Sequence, residues 1–206
     1  MDRQEFIINE LTTRNYKVGV EIGSFKGEFA SHILHNWNGT LYLIDAWRKL
    51  DGDTYVDASN KAIEDGIWLD AMNAIAGFED RAFMLRMLSN QASKLFADDS
   101  LDFVYIDANH RYDFVKEDIE LWWPKIKSGG MLSGHDYMHE IDWSPASGDV
   151  GKDKHIHLWN PSDKENTTVY AGLFGVYPAV NEFANEKKYE VFHTDEWLSS
   201  WYLFKR

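Results

Sequence analysis

Two short polar segments of the chain combine carboxylates with imidazoles, and each directly follows an apolar run. The segment 107–110, Asp-Ala-Asn-His, follows the run 101–106, and His135-Asp136 follows a second run that begins at residue 131. Carboxylate and imidazole groups bind divalent cations, and both accept a proton from a reacting hydroxyl. The side chains expected to act together, as a proton acceptor or as metal ligands, are Asp107, His110, His135 and Asp136.

The elements that must carry these side chains alternate between strands and helices. Strand-length apolar runs lie at 18–22, 41–45, 82–87, 101–106 and 131–133, with stretches of helical spacing between them. This alternation predicts an α/β fold, a Rossmann-like doubly wound and mostly parallel sheet with helices on both faces. Ligands of such sheets bind at the carboxyl ends of the strands. The residues expected along that edge are Gly23, Asp45, Ser89, Asp107, His135 and Asp136.

A chain of 206 residues suits one domain, and we expect residues 1–206 to form it. A short leading helix is expected over 2–14 and a helical excursion at 48–77. Residues 138–172 contain glycines and prolines and no sustained period, which predicts a lid-like insertion. Its histidines, His155 and His157, are weaker candidates for contact with a substrate. An antiparallel strand pair is expected at 189–193 and 201–204.

Charge and composition limit the classes of partner. The formal net charge of −13 disfavours nucleic acid and anionic membrane, because both are polyanions that bind clustered Lys and Arg. The chain has no cysteine, which excludes disulfides and thiolate chemistry. No run reaches the length of a membrane span, and the acidic first residues lack an apolar signal core, so we expect a cytoplasmic protein acting on a small molecule. The leading helix and the nine tryptophans are candidates for the interface of a homodimer.

The turn after the first strand reads Glu21-Ile-Gly23-Ser-Phe-Lys-Gly27, and the next strand ends on Asp45. A glycine turn followed by an acid about 20 residues later is also the plan of dinucleotide-binding sheets. Glu21 would repel a pyrophosphate, however, and would attract a cationic cofactor by roughly 4 kcal/mol at 4 Å and an effective dielectric of 20. The residues thus favour a cationic cofactor and leave hydride transfer with NAD as the alternative.

These motifs together resemble the class I S-adenosylmethionine-dependent methyltransferases. The resemblance rests on the Glu-x-Gly-x-x-x-Gly turn, the strand that ends at Asp45, the strand that ends at Asp107 and the Gly129-Gly130 turn. The motif Asp-x-x-His at 107–110 is similar to that of a small-molecule branch, the methyltransferase 24-like proteins, which includes sugar and macrolide O-methyltransferases. The resemblance implies a seven-stranded sheet of order 3-2-1-4-5-7-6 with the last strand antiparallel.

The resemblance also implies roles for individual residues. Glu21, Gly23 and Gly27 would line the methionine end of the cofactor, Asp45 would hold the ribose, and Trp47 and Ser89 would lie near adenine. Relatives often carry an acid just before the position of Ser89, where this chain has Leu88. The implied cofactor-binding set is Glu21, Gly23, Ser24, Gly27, Asp45, Ala46, Trp47, Ser89 and Asp107.

The expected reaction is methyl transfer to a hydroxyl of a small polar acceptor, a sugar or a glycosylated metabolite. By resemblance, Asp107, His135 and Asp136 would bind a divalent cation such as Mg²⁺ or Mn²⁺, and Asp107 and His110 would be catalytic, with His110 as base. His135 stands where relatives carry an acid, and an imidazole among the oxygens favours Mn²⁺, Fe²⁺ or Zn²⁺ over Mg²⁺. Two alternatives remain: a metal-independent N- or O-methyltransferase, and a module that binds S-adenosylmethionine without catalysis.

Overall fold

The computed structural model describes residues 1–48, 64–137, 175–196 and 198–206. The predicted insertion at 138–172, with His155 and His157, and the first part of the predicted excursion, 49–63, lie outside the described residues. In chain order the helices and strands are α1 (Arg3–Thr13), β1 (Val18–Ile22), α2 (Glu28–Asn36), β2 (Thr40–Asp45), α3 (Glu64–Ala74), β3 (Ala82–Arg86), α4 (Ser89–Ala92), β4 (Leu101–Ile106), α5 (Tyr112–Trp122), β5 (Ile126–Gly134), α6 (Val176–Lys187), β6 (Phe192–His193) and β7 (Trp201–Phe204).

The strands form one seven-stranded sheet of order β3-β2-β1-β4-β5-β7-β6. Strands β1 to β5 pair in parallel, and β7 runs antiparallel to both β5 and β6. The predicted Rossmann-like fold and strand order are therefore confirmed. The order reverses between β1 and β4, so the carboxyl ends of these two strands flank the crevice where such sheets bind ligands.

The central strands are buried because both faces of the sheet are covered. On one face, Val20, Val104 and Leu132 pack with the residues of α5 and α6; on the other, Leu43 and Phe103 pack with α1 and α2. All five of these side chains are fully buried. Near-continuous apolar strands are what a parallel sheet covered on both faces requires.

The leading helix α1 covers the sheet beside α2, as its helical spacing predicts. Its buried side chains are Phe6, Ile7 and Leu11, and Phe6 stacks on Tyr202 of β7 with ring centroids 4.2 Å apart. The Asp2 carboxylate caps the helix by accepting a hydrogen bond from the Glu5 N–H at 2.9 Å. This packing brings the first turn of α1 to the carboxyl end of β4.

Two strand boundaries differ from those expected. β5 begins at Ile126, because Ile126 pairs with Leu101 before the register shifts between Leu101 and Phe103. β6 has only two residues, Phe192–His193, where a longer strand was expected over 189–193. Among the described helices, none has the length and apolar character needed to span a membrane.

Candidate active site

The glycine turn after β1 brings the ends of β1 and β4 into direct contact. Gly23 has a φ of +86°, and a Cβ at this position would lie 2.1 Å from the Asp107 carbonyl oxygen. The Asp107 N–H donates to the Ile22 carbonyl at 2.8 Å, which fixes the same approach. Gly27, with a φ of +76°, then begins α2 as its N-cap. Glycine is thus required at Gly23 both by its backbone conformation and by the space available.

Glu21 lies beneath this turn and is buried, with 2% of its surface exposed. Burial raises the pKa of its carboxyl to about 8, and the negative charges of Asp107 and Asp45 act in the same direction. Its Oε2 atom has no hydrogen-bond partner among the described residues. A buried polar atom without a partner is costly, and a cationic ligand would compensate it. The residues present therefore fit the cationic methionine end of S-adenosylmethionine.

Asp45, at the end of β2, is held by two backbone donors. Its carboxylate accepts from the Trp47 N–H at 2.7 Å and from the Phe25 N–H at 3.0 Å. The Trp47 indole N–H in turn donates to the Phe25 carbonyl at 2.7 Å. Phe25 and Trp47 have φ values of 45° and 43°, so both turns adopt the left-handed conformation to make these contacts. A carboxylate oriented in this way keeps lone pairs that suit the hydroxyls of a ribose.

Ser89 begins α4, at the same edge of the sheet, but its side chain points toward α5. The hydroxyl donates to the Asp118 carboxylate and accepts from the Trp122 indole N–H at 2.8 Å. Asp118 is buried, and burial raises its pKa to about 7, partly offset by the hydrogen bond from Ser89. The described contacts of Ser89 thus connect α4 to α5, and its contact with adenine stays a prediction.

The polar residues after β4 and β5 meet in one cluster. His110 Nε2 lies 2.7 Å from Asp136 Oδ2 and 3.6 Å from Asp107 Oδ1. His135 Nδ1 lies 3.4 Å from Asp136 Oδ1 and 4.0 Å from Asp107 Oδ1. All four side chains predicted to act together are therefore close neighbours.

Adjacent residues of a regular strand point to opposite faces, which would separate His135 from Asp136. They converge because β5 ends at Gly134 and Asp136 adopts a left-handed conformation with a φ of 58°. The chain thereby turns out of the sheet, which leaves His135 Nδ1 4.0 Å from Asp107 Oδ1 and an Asp136 oxygen within 4.8 Å of an Asp107 oxygen.

The cluster is strongly polarised. Burial lowers the pKa of His110, but the hydrogen bonds and negative charges of Asp107 and Asp136 outweigh burial and raise the pKa to about 10. Burial acts to raise the pKa of Asp136, yet His110 and His135 lower it well below its usual range. In the absence of another cation, a protonated His110 therefore balances the Asp136 carboxylate.

Three of these residues form a group able to hold a metal ion. One ligand atom from each of Asp107, His110 and Asp136 lies within 4.8 Å of the other two, the one such group among the described ranges. A cation about 2.1 Å from each ligand holds its ligand atoms roughly 3 to 4 Å apart, so small side-chain adjustments suffice. The group contains His110, which was expected as the base, in place of His135.

Arg3 is a residue of this site that the sequence motifs did not indicate. Its Nη1 donates to Asp107 Oδ2 at 3.1 Å, and its guanidinium lies over the Phe29 ring, 4.6 Å from the centroid. Burial lowers the pKa of Arg3, but Tyr105 and Asp107 outweigh burial and raise it. No local pattern connects the start of a leading helix with a strand end so distant in the chain, and only the docking of α1 reveals the contact.

Comparisons with known proteins agree with this geometry. A family model described as a methyltransferase domain matches residues 20–137, more than half of the chain. That range runs from within β1 to just past the end of β5 and includes Asp107, His110, His135 and Asp136. No curated protein matches the sequence significantly.

Several solved structures share the fold. A putative caffeoyl-CoA O-methyltransferase from Staphylococcus aureus aligns with a TM-score of 0.64 at 14% identity, over 99% of this chain and 84% of that one. An O-methyltransferase from Bacillus cereus in complex with SAH aligns with a TM-score of 0.62 at 14% identity, over 98% and 80%. TomG, an O-methyltransferase from Streptomyces achromogenes involved in tomaymycin synthesis, solved with SAM, aligns with a TM-score of 0.60 at 11% identity, over 99% and 80%.

The family match, the strand order and the glycine turn beside a buried acid lead to the same assignment. The chain belongs to the methyltransferase-domain family and is a class I S-adenosylmethionine-dependent methyltransferase.

Proposed function

We propose that the protein transfers the sulfonium methyl of S-adenosylmethionine to a hydroxyl of a small polar acceptor, with a divalent cation such as Mg²⁺ or Mn²⁺ held beside the acceptor. The acceptor class proposed is a sugar or a glycosylated metabolite. The observation that carries the proposal is the group of Asp107, His110 and Asp136, whose ligand atoms lie within 4.8 Å of one another. This group adjoins the Gly23 turn, so cofactor and acceptor would meet at one edge of the sheet.

Methyl transfer to oxygen supports a site of this composition. The acceptor oxygen attacks the methyl carbon, the carbon–sulfur bond breaks with its electron pair going to sulfur, and the hydroxyl proton must leave. A neutral hydroxyl is a poor nucleophile, so the site must favour its ionised form. A divalent cation, when bound, supplies that effect by lowering the pKa of a hydroxyl bound to it.

The chain's own residues would orient the reactants. Asp107 and Asp136 both present a carboxylate oxygen to Nε2 of His110, and His135 Nδ1 lies 4.0 Å from Asp107 Oδ1, close enough to add a further nitrogen. The three similar structures described above are a putative O-methyltransferase and two O-methyltransferases with SAH or SAM bound, which agrees with transfer to oxygen. The formal net charge of −13 suits a small neutral acceptor better than a nucleic acid.

A second candidate mechanism dispenses with the metal. His110 Nε2 and Asp136 Oδ2 are 2.7 Å apart, the arrangement in which a carboxylate orients an imidazole and stabilises its protonated form. In this mechanism His110 first loses its own proton, because Asp107 and Asp136 raise its pKa to about 10. The neutral imidazole then takes the proton of the acceptor, a hydroxyl or an amine, and Asp136 balances the charge that forms.

A methyl-transfer assay after metal removal separates the two mechanisms. The protein is dialysed against a chelator and incubated with methyl-labelled S-adenosylmethionine and a panel of free sugars and glycosylated metabolites. Formation of S-adenosylhomocysteine and labelled product is followed by mass spectrometry. The proposal expects O-methylation that stops after chelation and returns with Mg²⁺ or Mn²⁺. Activity that survives chelation overturns the metal and favours the His110 mechanism.

Two variants sharpen the assay. Asp136→Asn should lower the cation-dependent rate about 10- to 100-fold, the range found when the support of a metal site is disturbed. Asp113→Asn is the matched control, because Asp113 is an exposed acid in the first turn of α5, outside the cluster. Equal rates for both variants contradict the proposed role of Asp136. Binding of S-adenosylmethionine with no transfer to any acceptor would identify a non-catalytic binding module.

A further inference from the structure

The first turn of α1 brings a guanidinium into the acidic edge of the sheet. Arg3 Nη1 lies 3.1 Å from Asp107 Oδ2, and the side chain of Arg3 keeps 30% of its surface exposed. The carbonyl oxygen of the same Asp107 is the atom that a Cβ at Gly23 would meet first, at 2.1 Å. The positive charge of Arg3 also acts on Glu21, whose pKa it lowers against the effect of burial. Arg3 is therefore within electrostatic reach of both acids at the β1 and β4 ends.

The methionine end of S-adenosylmethionine carries both signs of charge. Its ammonium and sulfonium are cationic and match the acids at this edge, but its α-carboxylate is an anion and needs a cationic partner. The other described basic side chains near the first turn are engaged elsewhere: Lys26 pairs with Asp70 at 3.4 Å, and Arg86 donates to the Trp47 carbonyl at 2.8 Å. We propose that Arg3 binds the α-carboxylate of S-adenosylmethionine, an inference that rests on the proposed function.

The surroundings of Arg3 hold its guanidinium in place. Its planar group lies over the Phe29 ring at 4.6 Å, and Phe29 in turn contacts the Tyr105 ring with centroids 4.6 Å apart. A guanidinium stacked on an aromatic ring loses less freedom when it binds a carboxylate, and its fork of donors matches the two oxygens. Of the five N–H donors of Arg3, the described hydrogen bond to Asp107 uses one.

The packing of α1 against the sheet fixes the position of Arg3. Phe6, Ile7 and Leu11 are buried against the sheet, and the Met1 ammonium lies 3.2 Å from the Asp195 carboxylate. Arg3 thus stands on a fixed helix, one residue after the Asp2 cap. The role proposed here differs from a structural one, in which Arg3 would serve only to orient Asp107.

Ligands that differ in a single group distinguish these roles. Affinities for S-adenosylmethionine and for decarboxylated S-adenosylmethionine, which keeps the ammonium and sulfonium but lacks the carboxylate, are measured by calorimetry. The proteins are the wild type, Arg3→Ala, Arg3→Lys and Arg14→Ala. Arg14, the C-cap residue of α1, is the matched control, because it pairs with Glu10 at 2.7 Å and stacks on Phe204 away from this edge.

The proposal expects the wild type and Arg14→Ala to prefer S-adenosylmethionine over the decarboxylated ligand by about 10- to 100-fold, the range for a charge-assisted contact. Arg3→Ala should lose most of that preference, through weaker binding of S-adenosylmethionine alone, and Arg3→Lys should keep part of it. Thermal unfolding of each variant verifies that it is folded.

An equal loss of affinity for both ligands in Arg3→Ala overturns the proposal and assigns Arg3 to the positioning of Asp107. An unchanged preference overturns it as well. If the folded wild type binds neither ligand, the proposed function fails first, and the role of Arg3 fails with it.

Discussion

Substituting Gly23 with alanine tests whether the contact between the β1 and β4 ends forms the cofactor site. The added Cβ would lie 2.1 Å from the Asp107 carbonyl oxygen and 2.6 Å from the Ala108 Cα, both of them backbone atoms. Backbone cannot rotate away as a side chain can, so the strand ends must separate by about 1.3 Å or more to reach ordinary van der Waals contact. That movement also breaks the 2.8 Å hydrogen bond from the Asp107 N–H to the Ile22 carbonyl.

The magnitude follows from these separate costs. The left-handed conformation, with a φ of +86°, costs an alanine about 1 kcal/mol. The lost hydrogen bond adds about 1 kcal/mol, and the displacement of packed backbone adds at least as much again. We therefore expect Gly23→Ala to lower the free energy of unfolding by about 3 kcal/mol or more. In a domain of this size that corresponds to a melting temperature roughly 6 to 12 °C lower.

Gly77→Ala is the matched control. Gly77 has a φ of +93°, similar to that of Gly23, but a Cβ there would meet no atom within 4 Å. It bears only the conformational cost, about 1 kcal/mol or a 2 to 4 °C decrease in melting temperature.

Calorimetric unfolding of both variants gives the difference between them, and titration with S-adenosylhomocysteine gives the effect on the site. Gly23→Ala should lose measurable binding, while Gly77→Ala should keep wild-type affinity. Equal melting temperatures for the two variants, or wild-type affinity in Gly23→Ala, would refute the close approach of the strand ends.

Two further predictions concern buried acids. Burial raises the pKa of Asp118 to about 7, above its ordinary value of 3.8, so the folded state holds this proton more tightly than the unfolded state. The contribution of Asp118 to the free energy of unfolding should thus be full below about pH 4 and be lost as pH rises through 7. Denaturant unfolding from pH 4 to 8 should show that the free energy of unfolding declines less with pH in Asp118→Asn than in the wild type. Parallel profiles for the two proteins would contradict this prediction. Glu21, with a pKa of about 8 raised by burial, should release up to about one proton at pH 7 when it meets the cationic cofactor. Calorimetry in buffers of different ionisation enthalpy measures that proton, and Glu21→Gln should abolish it; release unchanged in Glu21→Gln would assign the proton to another group.

Much of the sheet was predictable because parallel strands buried on both faces have a simple pattern. Strands β1, β2 and β4 end close to where the apolar runs stop, since a carboxylate or a glycine follows each of them. The start of β5 was not predictable, because Lys127-Ser128-Gly129-Gly130 has the composition of a turn and its pairing depends on an irregular register with β4. The strand order came from family resemblance, since local patterns do not determine which strands pair.

The contacts of the site likewise include some that the sequence predicts and some that it does not. Asp107 and Asp136 were predictable neighbours, because both follow strands that reach the same edge of the sheet. Their exact partners were not, because the left-handed turn at Asp136 brings His135 and His110 onto the same carboxylates. Arg3 depends entirely on how α1 docks, a tertiary arrangement that leaves no signal in the spacing of residues.

The four carboxylates at this edge differ in how the protein compensates their charge. Asp45 accepts from two backbone N–H groups, Asp136 faces two imidazoles, and Asp107 pairs with a guanidinium. Glu21 alone among these four is buried with an oxygen that has no partner in the described residues. Its ionised form is therefore the most dependent on a ligand, and a positive ligand group gains most by lying beside it. That difference supports the proposed orientation of the cofactor, with its cationic methionine end toward Glu21 and its ribose toward Asp45, and with Asp107 and Asp136 facing the acceptor.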